Sequence, residues 1–400
     1  MDLLFSNRCF LRFFLSRFIS RVGDGIHSLA LLWLSYRWTK SAAVVALVMV
    51  SFSLPAILVS PFAGAAADRR RREAIMVASD LVQAVCTAVL ALLAFTGRLN
   101  IPLLMLITAA MSVASAYFLP ASMSIIPQIV RKEDITRANG LVQISSSFSI
   151  VIGPVIGVGL IAAIGVPLAF LANSASFLIS AALLTGIKTQ PVSLPSAAPS
   201  PLATIKDGLS TIRRFPLAFK LLDKAAVINF FFAAVTIVIP VVAESIYRMG
   251  SRGIGLMMSS YGLGMFTSSV ALGSIKKEAS PLKTITFSIA VLGVAFILFG
   301  AASSFRLSML YLFLIGFFLN VANVNILSLW QRSLPNEVLG RIMSFATAIS
   351  MSLSPVSYAI TGVLIELVGV RAVLMAGGVF IILNAMRILR IKELREAYNG

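Results

Sequence analysis

The sequence predicts an all-α membrane protein in which twelve transmembrane helices form two pseudo-symmetric six-helix bundles. Hydrophobic residues make up 58% of the 400 residues and charged residues only 12%, which leaves too little polar surface to cover soluble domains. Apolar runs recur along the whole chain, and each is long enough for the ~20 residues that a spanning helix requires. A segment rich in Pro and Ser separates six of these runs from the other six.

The predicted spans follow from where charged residues are absent or sparse. Six charge-free runs supply one helix each: 42–67, 99–130, 253–275, 284–305, 307–331 and 342–365. The charge-free stretch 138–187 supplies two helices, because Gly165-Val166-Pro167 permits a reversal between them. Four runs with occasional charges complete the set: 11–36, 73–97, 221–247 and 370–390. An even number of spans places both termini on the same side of the membrane.

The basic residues orient these helices. Most of the 33 lysines and arginines fall at one set of helix ends, and basic residues remain on the cytoplasmic side of a membrane. We therefore expect both termini in the cytoplasm and the chain in the inner (plasma) membrane of a bacterium. Anionic lipid headgroups then account for the formal net charge of +18. Nucleic acid is not an expected partner, because no basic segment is interleaved with exposed aromatic residues.

The two bundles are predicted to be joined by a cytoplasmic tether. We expect the first bundle over residues 1–188, a linker over 189–220 and the second bundle over 221–400. The linker begins with the Pro/Ser-rich segment and continues with apolar residues at helical spacing, which predicts an amphipathic helix on the membrane surface. The halves are also similar at an offset of about 200 residues, as expected of internal repeats in transporters. Gly165-Val166, for example, corresponds to Gly369-Val370.

Several short motifs resemble the major facilitator superfamily, and the resemblance covers essentially the whole chain. Residues 64–72, GAAADRRRR, resemble its G-x-x-x-D-R-x-G-R-R signature, with Arg71 in the place of the second glycine. Residues 23–25 (GDG) and 153–154 (GP) are similar to the subgroup that contains macrolide-efflux and enterobactin-exporter-like proteins. The resemblance implies two bundles that rock about a central cleft and expose a solute to alternate sides of the membrane.

The signature motif places Gly64, Asp68 and Arg69 at the cytoplasmic end of the second helix. Here the resemblance implies a charge latch between helices that holds the inner gate shut. The alternative is that the basic run 69–72 only anchors the topology. Asp80, inside the third helix, is expected to bond to this basic run in a structural role.

Charged residues inside the first predicted helix are candidates for ion coupling or substrate binding. A charged side chain at the bilayer centre costs ~2.5–3.5 kcal/mol on insertion scales, so an acid there suggests a function. Arg17, Arg21 and Asp24 share one stripe of the helix, and His27 lies three residues beyond Asp24. We interpret Asp24 as a group that exchanges a proton or holds a cationic substrate. The alternative is a static pair of Arg21 and Asp24, with His27 as a packed polar residue.

By the same resemblance, helices one, four, seven and ten line the cleft. They offer Asn229 in the seventh helix and Asn320 and Asn323 in the tenth, the last two on a shared face. Flexible and aromatic apolar residues are expected around them: Met105, Met111, Tyr117, Phe118, Phe230, Phe231, Phe232 and Phe317. Such a lining suits a bulky amphipathic solute better than a sugar, which requires dense polar pairing. The alternative for each aromatic residue is contact with lipid or with another helix.

Gly153, Pro154 and Gly157 in the fifth helix contain a G-x-x-x-G spacing. Small residues at this spacing let two helices approach closely, so we interpret them as helix-packing residues. In exporters of the superfamily, a glycine/proline motif in the fifth helix is associated with antiport.

The residue inventory argues against an enzyme. The sequence has one histidine, which leaves no His-rich metal site, and no G-x-x-x-x-G-K-[ST] loop to hold ATP phosphates. No cofactor is expected. We expect a secondary active transporter that exports amphipathic small molecules, such as drugs or siderophores, by alternating access coupled to protons. A facilitator or importer of lipid-like or nutrient solutes is the alternative, and a non-transporting membrane receptor is a further one. The sequence predicts no oligomeric state.

Overall fold

The computed structural model describes residue 4 and residues 6–187, 189, 210, 212–274, 281–334 and 336–388. Within these residues the chain is helical and has no β-strand, which confirms the predicted all-α class. Twelve long helices follow one another in this part of the chain: α1 Arg8–Thr39, α2 Ala42–Arg69, α3 Arg72–Phe95, α4 Ile101–Ile129, α5 Ile135–Ala163, α6 Val166–Thr185, α7 Pro216–Val241, α8 Gly250–Ser274, α9 Pro281–Ala301, α10 Phe305–Ser333, α11 Asn336–Val368 and α12 Val370–Ile388.

Nine of the described helices contain a segment long and apolar enough to cross a membrane. Helix α11 adds a shorter apolar segment, Ser352–Val368. Helix α1 is not among the nine, since Arg17, Arg21 and Asp24 lower its hydropathy, and neither is α8, which is rich in glycine and serine. The chain is therefore a multi-pass membrane protein, while the number of twelve spans stays a prediction.

The turns between helices repeat in the two halves of the chain. Gly165, between α5 and α6, has φ of 103°, and Gly369, between α11 and α12, has φ of 83°. These are left-handed conformations that glycine adopts without steric penalty. Helices α4 and α10 are also six helices apart, and Asn100 and Ser304 cap them through bonds of 3.0 Å and 3.3 Å from backbone N–H groups. The sequence similarity between the halves thus extends to how their helices begin and turn.

Two compact units divide the chain. The first comprises Met1–Lys40, Leu47–Ala198 and Met249–Ser259, and the second Ser41–Ala46, Pro199–Arg248 and Ser260–Gly400. In the first unit α1 packs against α5 and α6, and α3 packs against α4 and α6. In the second, α7 packs against α11 and α12, and α9 packs against α10 and α12. Each of these pairs has a counterpart six helices later, as an internal repeat requires. The bounds of the two predicted bundles and of the linker stay a prediction, because most of the linker lies outside the described residues.

Candidate functional site

Arg17 is the most enclosed charged residue of α1. It is 8% exposed, and its guanidinium carbon lies 5.0 Å from the centre of the Phe118 ring on α4. An aromatic face attracts a cation at this separation. Arg21 and Asp24, one and two turns further along α1, are each half-buried. The three side chains therefore follow the stripe that their spacing predicts.

The Asp24 carboxylate has no direct partner in the described part of the chain. It forms no hydrogen bond and no ion pair there, so the static Arg21–Asp24 pair is not present in this structure. Arg21 and Arg17 still act on this carboxylate through their charges.

Asp80 on α3 is a second buried acid near this stripe. It is 1% exposed, and its Oδ2 atom accepts a hydrogen bond of 2.6 Å from Ser180 Oγ on α6. Its other oxygen has no hydrogen-bond partner among the described residues. The sequence predicts that Asp80 bonds to the basic run 69–72, whereas in the structure it bonds to Ser180 on α6. The only sign of this buried acid in the sequence is its position within an apolar helix.

Arg17 interacts electrostatically with both carboxylates, Asp24 and Asp80. We define Arg17, Arg21, Asp24 and Asp80 as the charged cluster. It contains two cations and two carboxylates, so its charges balance when both acids are ionised. Breaking a buried group of this kind by removing one member leaves an uncompensated charge, which is strongly destabilising. The net charge of the cluster changes by one unit when either carboxylate gains a proton.

His27 forms no hydrogen bond to the charged cluster in the described part of the chain. It is 3% exposed, and its ring centre lies 5.3 Å from that of Phe170 on α6. Neither ring nitrogen has a hydrogen-bond partner in the described part of the chain. The structure thus encloses His27 between α1 and α6 and does not bring it into a bonded relay with Asp24.

The glycines next to the cluster set the separation of α1 and α5. A Cβ atom built on Gly153 would lie 2.7 Å from the Cα of Gly25, and one built on Gly157 would lie 2.9 Å from Leu29 Cδ2. Pro154 lies inside α5, between these two positions. Because no side chain fits at the Gly25–Gly153 crossing, the backbones of the two helices meet directly beside Asp24.

In the second unit the predicted polar residues have different surroundings. Asn320 Nδ2 donates to Ser268 Oγ at 2.8 Å and to Ser269 Oγ at 2.9 Å, which ties α10 to α8. Asn229 donates to the Ala225 carbonyl of its own helix at 2.8 Å. Asn323 is half-buried, and the structure does not place it in the hydrogen bonds that Asn320 makes. The amide of Asn320 thus binds other side chains of the protein. The position of Asn320 on a shared face with Asn323 did not predict these bonds.

The chain matches a family model over most of its length. The family model for the Major Facilitator Superfamily matches residues 13–357 and also residues 225–398. The chain belongs to the Major Facilitator Superfamily. The resemblance inferred from the motifs is confirmed, and the chain is accordingly a multi-pass membrane transporter with a small-molecule substrate.

Similar proteins within the superfamily cover almost the full chain. The Uncharacterized MFS-type transporter YfiS of Bacillus subtilis (strain 168) is 26% identical over 391 residues, which are 96% of this chain and 93% of the relative. Macrolide efflux protein A of Streptococcus pyogenes is 22% identical over 383 residues, 94% of each chain. A bacterial homologue of the iron transporter ferroportin, solved in an inward-facing state, has a TM-score of 0.76 at 14% identity and covers 95% of this chain and 98% of that one. This last likeness is one of fold alone.

The superfamily signature lies at the end of α2. A Cβ atom built on Gly64 would meet nothing within 4 Å, so the glycine is not required by close packing in the described structure. The helix ends at Arg69, and the side chains of Asp68 and Arg69 lie outside the described residues. The charge latch at this motif stays a prediction.

The arginines that follow the signature make specific bonds. Arg71 Nε donates to Glu73 Oε1 at 2.7 Å, and Glu73 also accepts from the hydroxyl and the backbone N–H of Thr189. Arg72 Nη1 donates to the carbonyl oxygen of Ser124 on α4 at 2.7 Å. The start of α3 is thereby fixed to α4 and to the chain just after α6. Arg72 and Ser124, like Glu73 and Thr189, are far apart in the sequence, so their bonds could not be predicted from local spacing.

Some aromatic residues assigned to the transporter's cleft pack between helices of the second unit. The Phe231 ring centre lies 5.5 Å from that of Phe230, 5.6 Å from that of Phe296 on α9 and 6.1 Å from that of Phe380 on α12. This environment corresponds to the alternative of contact with other helices. Phe231 is therefore a packing residue in this structure.

Proposed function

We propose that this transporter exports amphipathic small molecules by alternating access and that protons drive the export. The observation that carries the proposal is the charged cluster of the first unit. With both carboxylates ionised, their charges balance Arg17 and Arg21, and protonation of Asp24 leaves one positive charge in excess. A change of one charge among apolar helices alters the relative free energies of conformations that solvate the cluster differently. Proton uptake can thus be converted into movement.

The two acids have different roles in this proposal. Asp80 is 1% exposed and bonded to Ser180, so we assign it as a fixed countercharge for Arg17. Asp24 is half-buried and has no direct bond in the described part of the chain, so we assign it the exchange of protons. A cationic substrate would compete with the proton for the same carboxylate, which is the requirement for antiport.

The substrate class and direction rest on the lining and on the relatives. Of the asparagines predicted to line the cleft, Asn320 donates to Ser268 and Ser269 and Asn229 donates to a carbonyl of its own helix. The lining that the resemblance predicts is apolar with sparse polar groups, which favours an amphipathic ligand. Macrolide efflux protein A is similar over 94% of each chain, which supports export of drug-like molecules.

Transport in everted membrane vesicles tests the proposal. Their interior is acidified, and accumulation of macrolides, cationic dyes and siderophores is followed with and without the proton gradient. One elementary charge moved through 100 mV supplies ~2.3 kcal/mol, which corresponds to about a fiftyfold concentration ratio. We expect gradient-dependent accumulation by the unmodified transporter and loss of this dependence in Asp24→Asn. Asp134→Asn makes the same chemical change in a turn outside the cluster and should behave as the unmodified transporter.

Two outcomes of this assay contradict parts of the proposal. Equal gradient dependence in Asp24→Asn and in the unmodified transporter would remove Asp24 from coupling. Equilibration of a solute without any effect of the gradient would identify a facilitator instead.

We also propose that both termini lie in the cytoplasm, with bundles over 1–188 and 221–400 joined by the linker. The distribution of basic residues supports this orientation. Alkaline phosphatase fused to the C-terminus should be inactive and a fluorescent protein fused there should fluoresce. The reverse pattern would contradict the orientation.

A further inference from the structure

The first unit contains a cavity of about 370 Å³ that the transport proposal does not use. It lies among α2, α3 and α4, and most of its lining side chains are small and apolar. Ala78 and Val82 on α3 line the cavity and are exposed, so the cavity opens to the surface of the protein. From Ala74 to Val82 the α3 wall covers ~12 Å at 1.5 Å per residue. Because α3 is long and apolar enough to cross a membrane, a hydrocarbon chain can enter this opening from the bilayer.

Arg70 is the only charged side chain among the described residues that line the cavity. It directly follows the end of α2, where a run of arginines marks the membrane surface. Arg70 is exposed and forms no hydrogen bond and no ion pair in the described part of the chain. Its neighbour Arg71 bonds to Glu73, and Arg72 bonds to a carbonyl oxygen of α4. Arg70 therefore presents an uncompensated positive charge at the surface end of the cavity.

Two hydroxyl groups lie deeper in the cavity. Ser79 on α3 and Tyr117 on α4 both line it, and neither side chain has a hydrogen-bond partner among the described residues. On α3, Val82 lies further from the membrane surface than Ser79. On α4, Ala110 lies further from the same surface than Tyr117. Inward from Arg70, the cavity thus presents a cation, then hydroxyl groups, then an apolar wall.

This order matches the parts of an anionic phospholipid. A guanidinium group binds phosphate oxygens through charge-assisted hydrogen bonds. Hydroxyl groups can donate to the ester carbonyl oxygens that follow the phosphate, and an apolar wall packs against an acyl chain. Each methylene group that is buried there contributes about a fourfold gain in affinity. The cavity therefore offers a complementary surface to each part of such a lipid.

We propose that this cavity binds an anionic phospholipid, with its phosphate at Arg70, its ester oxygens at Ser79 and Tyr117, and one acyl chain along α3 and α4. The cationic solute proposed for Asp24 is a poor occupant, because Arg70 repels it. Arg70 takes an unspecified position of the superfamily signature, so this site is separate from the latch predicted at Asp68. The site depends neither on proton coupling nor on the direction of transport.

Native mass spectrometry of the full-length protein with added phosphatidylglycerol or phosphatidylcholine tests the headgroup contact. One cation near the membrane surface contributes about a fivefold change in affinity for an anionic lipid. We expect Arg70→Gln to weaken phosphatidylglycerol binding about fivefold and phosphatidylcholine binding less than about twofold. The matched control is Arg213→Gln, because Arg213 is exposed and lies outside the cavity; this variant should change neither affinity by more than about twofold. Equal losses of phosphatidylglycerol binding in the two variants, or equal losses of the two lipids in Arg70→Gln, would overturn the proposal.

Ala78→Leu tests the acyl-chain contact. Leucine adds three carbon atoms inside the cavity, and displacing about as many methylene groups should weaken both lipids more than about tenfold. Ala182→Leu is the matched control, since Ala182 is exposed on α6 of the same unit and does not line the cavity. Unchanged lipid binding in Ala78→Leu, or an equal loss in Ala182→Leu, would contradict the site. Erythromycin that displaces phosphatidylglycerol from the unmodified protein, but no longer binds Ala78→Leu, would instead identify a site for the transported solute.

Discussion

Ser180 Oγ donates a hydrogen bond of 2.6 Å to Asp80 Oδ2 and so joins α6 to α3 in the first unit. This is the only hydrogen bond of the Asp80 carboxylate among the described residues, since its other oxygen has no partner there. The bond fixes one acid of the charged cluster while the other, Asp24, stays without a direct partner in that part of the chain.

Ser180→Ala should therefore destabilise the transporter. Removing the donor leaves a buried carboxylate without a hydrogen bond among the described residues, which costs about 1–3 kcal/mol. Thermal unfolding in detergent measures the effect. Thr185→Ala is the matched control, because its hydroxyl donates only to the Ala182 carbonyl of the same helix. Unfolding temperatures that fall equally in the two variants would contradict the special role of Ser180.

Removing Arg17 should affect both acids. Arg17→Gln leaves the half-buried Asp24 and the buried Asp80 with one cation fewer, and breaking a buried charge group costs about 3–5 kcal/mol. We expect a lower unfolding temperature and loss of gradient-driven transport. Arg17→Lys, which retains the charge, should recover part of both. The exposed Arg98 provides the control, and an Arg98→Gln variant as impaired as Arg17→Gln would remove the electrostatic explanation.

The crossing of α1 and α5 gives a test of packing. Gly153→Ala adds a methyl group where a Cβ atom would lie 2.7 Å from Gly25 Cα, so the helices must separate at a cost of about 1–3 kcal/mol. Gly159→Ala lies on the same helix with nothing within 4 Å of its Cβ position and should stabilise by about 0.5–1 kcal/mol. Denaturant or thermal unfolding of both variants checks the sign of each change. Equal effects of the two substitutions would contradict the close crossing.

Glu366, near the end of α11, should stabilise the start of α2. Its Oε1 atom accepts a hydrogen bond of 2.7 Å from Ser41 Oγ and one of 3.3 Å from the backbone N–H of Ala43. A negative charge at a helix N-terminus contributes about 0.3–1 kcal/mol when exposed. Glu366→Gln should lose this amount, and less at high salt, as judged by unfolding temperature. The exposed Glu133 offers a Glu→Gln control, which should show a smaller loss.

Much of the architecture could be predicted because it depends on local sequence. Apolar runs identified the helices, and Gly165 and Gly369 marked turns that do require left-handed backbone. A helix was predicted over 11–36, and α1 spans Arg8–Thr39, although its charges exclude it from the most apolar helices. These features depend on neighbours within one or two helical turns.

The bonds of the candidate site could not be predicted in the same way. Asp80 and Ser180 are one hundred residues apart, and Asn320 reaches Ser268 on another helix. Such pairs depend on which helix faces meet, and a single sequence does not give that information. For the same reason the sequence predicts a bond from Asp80 to the nearby arginines, whereas the structure has one to Ser180 on α6.

The low hydropathy of α1 has a consequence for biogenesis. Its arginines and Asp24 make it a poor insertion signal for the translocon when it emerges from the ribosome, since each charge near the helix centre opposes partitioning into lipid. Its natural partners, α5 and α6, are synthesised more than a hundred residues later. We expect the first helix to settle into the bilayer only after these later segments arrive, so that the residues assigned to transport also determine the order of assembly.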